Sequence, residues 1–472
     1  VCLFDLCLGK KNLGVFPAKG DVGSGGYVGQ IDLSALSELV VRLKDIRIDV
    51  LRLAFCDLMG VERSRDILVS SMVSVLSNGV PFSSEIYRRT DGAATGQSRI
   101  EAVKTAGDIL GYLDIGTLKA VPWEAGVAHG ILDLQNLDGT AVAEDPREVL
   151  RRVQGKLTAM GLVPLVGPEL EFYLLEPDGN SGWQRYGLGG GNIYSSGLKG
   201  DPENFLLNSL RMLEGFEIGA FGANHEFSSG QFEINLWHCI ATEAADRAFR
   251  FKSAIKEMGR QTNKLATFMA KPFNGESGSG FHLHFSILDD LGRPLFEDKG
   301  GPDGLSDLAR SAIAGVLRHA RAVTALCSPT INSYKRFAPG TFAPWLVDWG
   351  LNDRGAMIRI PSQRGLSTRM ELRLGDASAN PYLAIAGLLA GAYLGIKEEL
   401  TLPEVRTGDP RDLIALPRTL RDAIEALRDD EELVELLGDG FVDAFICLKR
   451  DEIERFSRYV TDWEFIEYAY HL

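Results

Sequence analysis

Several apolar, strand-like segments of the chain carry ionisable residues two positions apart. The clearest segments contain Glu169-Leu170-Glu171, His282-Leu283-His284, and the set Arg369, Glu371 and Arg373. Because residues two apart on a β-strand point to the same side of the sheet, each segment directs its ionisable groups to one face. One such segment alone also fits a solvated strand face, but the strongly apolar flanks predict strands buried in the body of a domain.

Buried carboxylates of this kind need cations nearby, since an unpaired buried charge is costly. The segment HEFSSGQFEINL adds Glu226 and Glu233 on either side of a Gly230-Gln231 turn. The candidate metal ligands are therefore Glu169, Glu171, Glu226, Glu233, His282 and Glu371. A ligand set made almost entirely of carboxylate oxygens suits Mg²⁺ or Mn²⁺ rather than zinc.

Five arginines accompany these residues, similar in pattern although far away in sequence. They are Arg336, Arg354, Arg359, Arg369 and Arg373. Guanidinium groups bind carboxylates and phosphates through a fixed fork of donors, and metals combined with arginines are typical of phosphoryl transfer. The chain has no P-loop, no GxGxxG after a strand and no GxSxG motif. The residues alone therefore indicate a metal-dependent, ATP-using enzyme that acts on an anion.

Composition excludes several other classes of protein. The chain has 472 residues, 45% of them hydrophobic and 24% charged, which predicts a globular protein of two or three domains. A net charge of -14 argues against a nucleic-acid surface, and no segment reaches the roughly 20 apolar residues of a membrane span. The N-terminus lacks the pattern of a signal peptide. The six scattered cysteines form no CxxC pair, so we expect a reduced, cytoplasmic protein.

The elements that must position these residues predict an α+β fold. Residues 1–29 are expected to form an irregular arm, residues 30–138 a small β-rich domain, and residues 139–472 the large catalytic domain. A helix is expected from about Ser34 to Lys44, and residues 50–70 read as a β-hairpin around a glycine turn. Asp145-Pro146 is expected to start a helix, Tyr382–Ile396 to form a buried helix, and the chain from Leu416 onward to be helical.

The order of the motifs resembles the glutamine synthetase family, type I branch, from about residue 35 to the C-terminus. The motifs are PWEAGVAHGILDL, GPELEF, NHEFSSGQFEI, GSGFHLHFS, SYKRFAPG, RIP, RMELR and SANPYLAIAGLLAG. The resemblance implies a β-grasp-like N-terminal domain and a catalytic domain built on a curved antiparallel sheet with flanking helices. It also implies ATP as co-substrate, two or more Mg²⁺ or Mn²⁺ ions per site, and a dodecamer of two hexameric rings with active sites between subunits.

The resemblance also implies a role for each candidate residue. Glu171, Glu226 and Glu233 match the ligands of a first metal ion, and Glu169, His282 and Glu371 match those of a second. Arg336 matches the residue that binds the α-carboxylate of glutamate, Arg373 the one that binds its side-chain carboxylate, and Gly278 a backbone contact to substrate. Arg354 and Arg359 match a phosphate-stabilising pair, while Arg369, His284 and Ser286 match positions near the nucleotide phosphates. In the family's reaction, glutamate is phosphorylated by ATP and an amine then displaces the phosphate.

Two departures from the family pattern lie around the expected amine pocket. Phe342 stands where ammonia-using enzymes carry a flap glutamate, and Phe82-Ser83-Ser84 replaces a stretch that contains an aspartate. Ser277 also replaces an asparagine near glutamate. A pocket that has lost two carboxylates and is lined by Phe342, with Phe82 and Trp345 as further candidates, favours an apolar amine over ammonium, and an aromatic amine is in addition mostly uncharged at neutral pH.

The leading hypothesis is therefore a γ-glutamyl amide synthetase for an apolar alkyl or aryl amine, such as a γ-glutamylanilide or γ-glutamylisopropylamide synthetase. The alternatives are an ammonia-using glutamine synthetase or a polyamine or ethanolamine ligase, in which Glu85 or Asp91 would serve the amine. A non-catalytic structural or regulatory relative is a more distant alternative. The segment 412–417 lacks the tyrosine that is adenylylated in some type I enzymes, so we expect no such regulation.

Overall fold

A computed structural model of the chain describes residues 33–87, 107–187, 193–337, 341–405, 414–470 and 472. The expected N-terminal arm, Asp91, residues 338–340 of the flap and the start of the 412–417 segment lie outside the described residues. The elements below are numbered within the described ranges.

The N-terminal part of the chain folds around a five-stranded sheet with the order β2-β1-β5-β4-β3. Its strands are β1 (Val50–Cys56), β2 (Glu62–Leu68), β3 (Val80–Ser83), β4 (Asp108–Ala120) and β5 (Val127–Asn136). Neighbouring strands are antiparallel except β1 and β5, which are parallel. The predicted hairpin is confirmed, with Val50 opposite Leu68. Two helices, α1 (Leu33–Asp45) and α2 (Met72–Leu76), accompany this sheet, and α1 confirms the helix expected from about Ser34 to Lys44.

The second sheet has ten strands and is built along one long central strand, β6. Its main path runs β13-β14-β15-β12-β6-β9-β8, and β7, β10 and β11 also pair with β6. The strands are β6 (Leu162–Pro177), β7 (Trp183–Arg185), β8 (Ala220–His225), β9 (Gln231–Leu236), β10 (Cys239–Ile240), β11 (Leu265–Thr267), β12 (Phe281–Asp289), β13 (Trp349–Leu351), β14 (Ile358–Ile360) and β15 (Met370–Leu372). The pairing is antiparallel except between β13 and β14.

Ten further helices accompany the second sheet within the described residues. They are α3 (Pro146–Thr158), α4 (Phe205–Gly215), α5 (Ala241–Gln261), α6 (Asp307–Arg318), α7 (Ala320–Cys327), α8 (Pro381–Lys397), α9 (Leu420–Arg428), α10 (Glu431–Leu437), α11 (Asp439–Ser457) and α12 (Asp462–Tyr468). Helix α8 is buried on nearly all sides, as expected from its apolar sequence. It approaches α6 so closely that a Cβ on Gly315 would lie 2.6 Å from the Cα of Gly395, which explains the glycines there.

The predicted α+β class with a smaller N-terminal sheet and a larger, mainly antiparallel second sheet is confirmed. Asp145 caps α3 by accepting from the backbone N–H of Arg147, as its sequence predicts. The expected boundary near Asp138-Gly139 lies in the turn after β5, and it stays a prediction. Among the helices that the structure describes, none has the length and apolar content needed to cross a bilayer.

Candidate active site

The predicted ionisable residues lie together on one face of the ten-stranded sheet. Strand pairing sets them in adjacent rows: His282 is opposite Glu169, and Glu171 is opposite Glu233. Glu371 lies opposite His284 on one side and Arg359 on the other. Directly opposed residues share a face, so β14, β15, β12, β6 and β9 build one continuous polar surface over an apolar core.

Glu169 is held between two histidines. Nε2 of His284 lies 2.9 Å from one carboxylate oxygen of Glu169, and Nδ1 of His282 lies 3.5 Å from the other. Burial acts to raise the pKa of Glu169, but the two neighbouring histidines hold it well below its usual range. Nε of Arg369 donates to Nδ1 of His284 at 3.2 Å, so the neutral imidazole carries its proton on Nε2 and donates it to Glu169.

Glu171 is fixed by a glycine loop. One of its carboxylate oxygens accepts hydrogen bonds from the backbone N–H of Gly280 at 2.8 Å and from the amide of Gln231 at 3.1 Å. A Cβ on Gly280 would lie 2.6 Å from Nε2 of His282. Glycine is therefore required where the loop passes between Glu171 and His282.

Glu226 and Glu233 flank the β8–β9 turn, as the sequence predicts. Each accepts one hydrogen bond from an asparagine amide, Asn224 at 2.7 Å and Asn235 at 3.0 Å. Burial, followed by the charge of Glu171, raises the pKa of Glu226 to about 7. Burial and the nearby Glu169 raise the pKa of Glu233 still further. The carboxylates are thus crowded enough to disfavour their own ionised forms.

This arrangement fits divalent cations. Ligand atoms of Glu169, Glu233 and His282 lie within 4.8 Å of one another. Nδ1 of His282 is buried and has no hydrogen-bond partner within the described ranges. A cation would satisfy this orphaned nitrogen and neutralise the crowded carboxylates. The mainly oxygen donor set suits Mg²⁺ or Mn²⁺.

Two arginines from neighbouring strands pair with Glu371. Nη1 of Arg359 lies 2.7 Å from one carboxylate oxygen, and Arg373 pairs with the other. Burial acts to raise the pKa of Glu371, but His282 and Arg373 lower it. Both oxygens of this carboxylate are thus paired with guanidinium groups, and its neighbours favour the ionised form.

Arg336 is a buried guanidinium without an acidic side-chain partner among the described residues. It reaches only backbone carbonyls, those of Leu374 at 3.3 Å and Arg373 at 3.5 Å. Burial lowers its pKa, which measures the cost of keeping the charge there. Gly278 packs against the stem of Arg336, since a Cβ would lie 2.9 Å from its Cγ.

The remaining predicted arginines and Ser286 lie around the same face. Arg354 is exposed, its backbone carbonyl accepts from Nε of Arg373 at 2.9 Å, and its charge acts on Glu226. The hydroxyl of Ser286 donates to the carbonyl of Thr368 at 3.1 Å. The structure thus brings the predicted metal, phosphate and carboxylate residues into one region, while their individual roles stay predictions.

An aromatic pair adjoins the acidic residues. The ring of Phe342 stacks on that of Phe227, with centroids 5.6 Å apart and an angle of 19° between planes. Both rings are open to solvent, with 61% and 50% of their surfaces exposed. Sequence reasoning missed Phe227, although its place directly after Glu226 was a signal that could have found it.

Other residues considered for the amine pocket lie elsewhere or make ordinary contacts. Phe82 belongs to β3, where its ring packs edge-to-face on Phe55 at 4.8 Å. Trp345 is partly buried, and its carbonyl accepts from the N–H of Leu416. The carbonyl of Ser277 accepts from the hydroxyl of Tyr173 at 2.8 Å. Among these described residues, the exposed aromatic pair beside Glu226 is therefore Phe342 and Phe227.

Comparison with known proteins gives consistent matches. Residues 143–468 match the family described as glutamine synthetase, catalytic domain. A glutamine synthetase from Staphylococcus aureus (strain MW2) is 36% identical over 436 residues, which cover 89% of this chain and 94% of that protein.

Solved structures agree with these sequence matches. GmaS without ligand superposes with a TM-score of 0.81 at 29% identity, over 92% of this chain and 99% of that one. GmaS in complex with ADP gives 0.81 at 30% identity, over 91% and 99%. A structure described as a novel glutamine synthase homolog gives 0.77 at 26% identity, over 89% and 97%.

Proposed function

This chain belongs to the glutamine synthetase family, and we propose that it joins the γ-carboxylate of L-glutamate to an apolar alkyl or aryl amine through γ-glutamyl phosphate. It is an ATP-dependent carbon–nitrogen ligase, as are the family's members, which join glutamate to ammonia or an amine. The observation that carries the choice of amine is the exposed, stacked pair Phe227–Phe342 next to Glu226.

Bound Mg²⁺ or Mn²⁺, two or more ions per site, would neutralise phosphate charge and polarise the transferred group. The residues that would hold them are Glu169, Glu171, Glu226, Glu233, His282 and Glu371. The crowded carboxylates and the orphaned nitrogen of His282 support this assignment.

The arginines bind and orient the anions. The buried guanidinium of Arg336 is suited to the α-carboxylate of glutamate, because a bound carboxylate supplies the acidic partner that the described residues do not. Arg373 is assigned to the side-chain carboxylate, and Arg354 and Arg359 to the transferred phosphoryl group. Arg369, with His284 and Ser286, is assigned to the nucleotide phosphates. GmaS has been solved in complex with ADP, which supports nucleotide binding by this chain.

The acceptor pocket decides which amine attacks the acyl phosphate. Ammonium is a cation at neutral pH, so it needs a carboxylate that attracts and deprotonates it. An aryl amine is largely uncharged at that pH and can stack on a phenyl ring. Phe227 and Phe342 offer two such rings, and Phe342 occupies the place where the family pattern has a glutamate. The pocket therefore favours an apolar amine, either an uncharged aryl amine that stacks on a ring or an alkyl amine whose hydrocarbon part packs against it.

An amine panel tests this function. Phosphate release from ATP in the presence of glutamate should show a higher kcat/KM with aniline or isopropylamine than with ammonia, putrescine or ethanolamine. Phe342→Glu should shift the preference towards ammonia by at least about tenfold, since a polar contact in such a pocket discriminates strongly. Phe221→Ala is a matched control, because Phe221 is another exposed, stacked ring, paired with Trp237. The highest kcat/KM with ammonia would refute the choice of amine.

Ammonia is the second candidate acceptor. The relatives of 35–36% identity are named glutamine synthetases, and Glu85 belongs to the N-terminal part of the chain that could serve an amine in a neighbouring subunit. If ammonia is preferred and Glu85→Gln abolishes that preference, this alternative replaces the aryl-amine proposal.

We also propose that the chain forms a homo-oligomer, a dodecamer of two hexameric rings. The C-terminal segment supports assembly, because it leaves large apolar side chains exposed on a helix with no buried residues. They are Trp463, Phe465, Ile466 and Tyr468 on the helix, and Tyr470 and Leu472 follow after it, also exposed. Light scattering of the full chain and of a chain truncated after Arg458 tests this, with a smaller particle expected for the truncated form.

A further inference from the structure

A second cluster of metal-ligating groups lies where three helix ends meet, outside the ten-stranded sheet. His319 joins the end of α6 to the start of α7, and Glu398 follows the end of α8. Asp430 and Glu432 belong to the start of α10, directly after α9.

His319 is oriented as a metal ligand would be. Its side chain is only 3% exposed, and Nδ1 lies 2.7 Å from a carboxylate oxygen of Asp430. Nε2 is buried without a hydrogen-bond partner in the part of the chain that the structure describes, and it lies 3.9 Å from a carboxylate oxygen of Glu432. In the neutral tautomer whose Nδ1–H donates to Asp430, Nε2 presents its lone pair towards Glu432, as in carboxylate–histidine–metal arrangements.

We propose that Nε2 of His319 and the carboxylate of Glu432, with Glu398 beside them, bind a transition-metal dication of the Zn²⁺ class. Ligand atoms of His319, Asp430 and Glu432 all lie within 4.8 Å of one another. One imidazole nitrogen with one or two carboxylates suits zinc better than magnesium, which prefers oxygen ligands and retains water. A bound ion would tie the α6–α7 junction, the end of α8 and the α9–α10 junction together.

Arg318 is the competitor for this position. It pairs with both Glu398 and Glu432, at 3.0 Å in the second case. Its side chain is 46% exposed, and such exposed ion pairs contribute little stability. The guanidinium can therefore move into solvent at small cost when a metal ion takes its place between the two carboxylates.

Crystals grown with one equivalent of Zn²⁺ per subunit, in excess Mg²⁺ to fill the active site, locate the ion directly. We expect an anomalous peak at the zinc edge about 2.0–2.2 Å from Nε2 of His319. Absence of that peak, or zinc only among Glu169, Glu233 and His282, overturns the proposal.

Variants of the full chain give an independent solution test that does not depend on activity. Glu432→Gln should weaken zinc binding at least about tenfold in titration calorimetry with excess Mg²⁺, as loss of a ligand predicts. Glu431→Gln is the matched control, because Glu431 is an exposed carboxylate at the same helix end, and it should leave the affinity unchanged. Equal zinc affinity in both variants and the unaltered protein contradicts the site.

The variant Arg318→Gln tests whether Arg318 competes with zinc for the two carboxylates. Removal of the competing guanidinium should tighten zinc binding several-fold. If Arg318 only forms a structural ion pair and no zinc site exists, neither the variant nor the unaltered protein binds zinc. Because Arg318 and Glu432 are both partly exposed, these variants are expected to fold. A thermal unfolding scan without zinc, similar to that of the unaltered protein, confirms folding.

Discussion

Two buried clusters of charged residues in this molecule differ in how their carboxylates are paired. The first, the interface cluster, joins the N-terminal sheet to the helices behind the second sheet and consists of Arg147, Arg151, Asp114, Asp133 and Asp246. The second, the acidic cluster, lies on the face of the ten-stranded sheet and consists of Glu169, Glu171, Glu226, Glu233 and His282. In the first, every carboxylate contacts a guanidinium group of the chain itself, whereas in the second no carboxylate has such a contact among the described residues.

In the interface cluster every carboxylate has a guanidinium partner. Arg147 binds Asp246 through two contacts of 2.9 and 2.8 Å, Asp114 at 2.9 Å, and also Asp133. Arg151 adds a contact of 2.7 Å to Asp133. The many nearby carboxylates raise the pKa of Arg147 well above its usual value against the effect of burial. This cluster needs no ligand.

In the acidic cluster negative charge is left in excess, and the pKa values of Glu226 and Glu233 rise instead. Nearby, Arg336 is buried with only carbonyl partners among the described residues. The positive charge of Arg336 and the excess negative charge of the acidic cluster are therefore not paired with each other. Such buried, unpaired charges are unfavourable unless ligands of opposite charge bind to them. A structural cluster is thus complete within the fold, whereas a binding site is completed by its ligands.

The largest expected effect is the loss of stability when the interface cluster is broken. Arg147→Met leaves three aspartates without their main cation, so we expect a loss of about 3–5 kcal/mol in the free energy of unfolding. Urea unfolding measures it. Arg428→Gln removes an exposed pair with Asp429 and should change stability by no more than about 1 kcal/mol. Equal effects of the two substitutions would remove the distinction between the clusters.

The acidic cluster was predictable from the sequence, because its geometry follows from the strand period. Glu169 and Glu171 on β6, and His282 on β12, share a face by their spacing alone. The hairpin between Glu226 and Glu233 follows from its glycine turn. The role of each residue came from resemblance rather than from spacing.

The interface cluster was not predictable, because its contacts join residues far apart in sequence. Arg147 and Asp246 are separated by 99 positions, and no local period marks the pair. The same limit applies to Phe227. It lies in a turn, where the alternating pattern of a strand does not apply, and its partner Phe342 lies on a distant segment. The pairing of His319 with Asp430 likewise depends on the packing of separate helices.

The second expected effect contrasts activity with stability in the acidic cluster. Glu233→Gln should lower kcat by at least about 100-fold, as loss of a metal-binding carboxylate implies. In metal-free protein the same change should leave stability unchanged or increase it, since it removes a crowded charge whose pKa is raised. Glu176→Gln is the control, because Glu176 lies outside the cluster near the end of β6, the strand that pairs with β9. A destabilisation as large as that of Arg147→Met would contradict the contrast.

The third prediction tests the role of the buried guanidinium of Arg336. Arg336→Met keeps the packing of the stem but removes the charge, so the KM for glutamate should rise about 10- to 100-fold. Stability should not fall as it does for Arg147→Met, because no acidic side chain among the described residues loses its partner. Steady-state kinetics with glutamate and ATP varied separately measures the change. A parallel rise in the KM for ATP would assign Arg336 to the nucleotide instead.

The smallest effect is the stabilisation that the metal itself gives. If cations complete the acidic cluster, Mg²⁺ binds the folded chain and not the unfolded one, so it must raise stability by mass action. At ten times its Kd one bound ion contributes about 1.4 kcal/mol. Calorimetry of protein treated with a chelator and then titrated with Mg²⁺ measures the rise in Tm. The rise should be largely lost in Glu233→Gln and unchanged in Glu176→Gln, since only the first substitution removes a crowded carboxylate. An equal rise in Tm in both variants would place the stabilising ion elsewhere, and the excess negative charge of the acidic cluster would then not be neutralised by Mg²⁺.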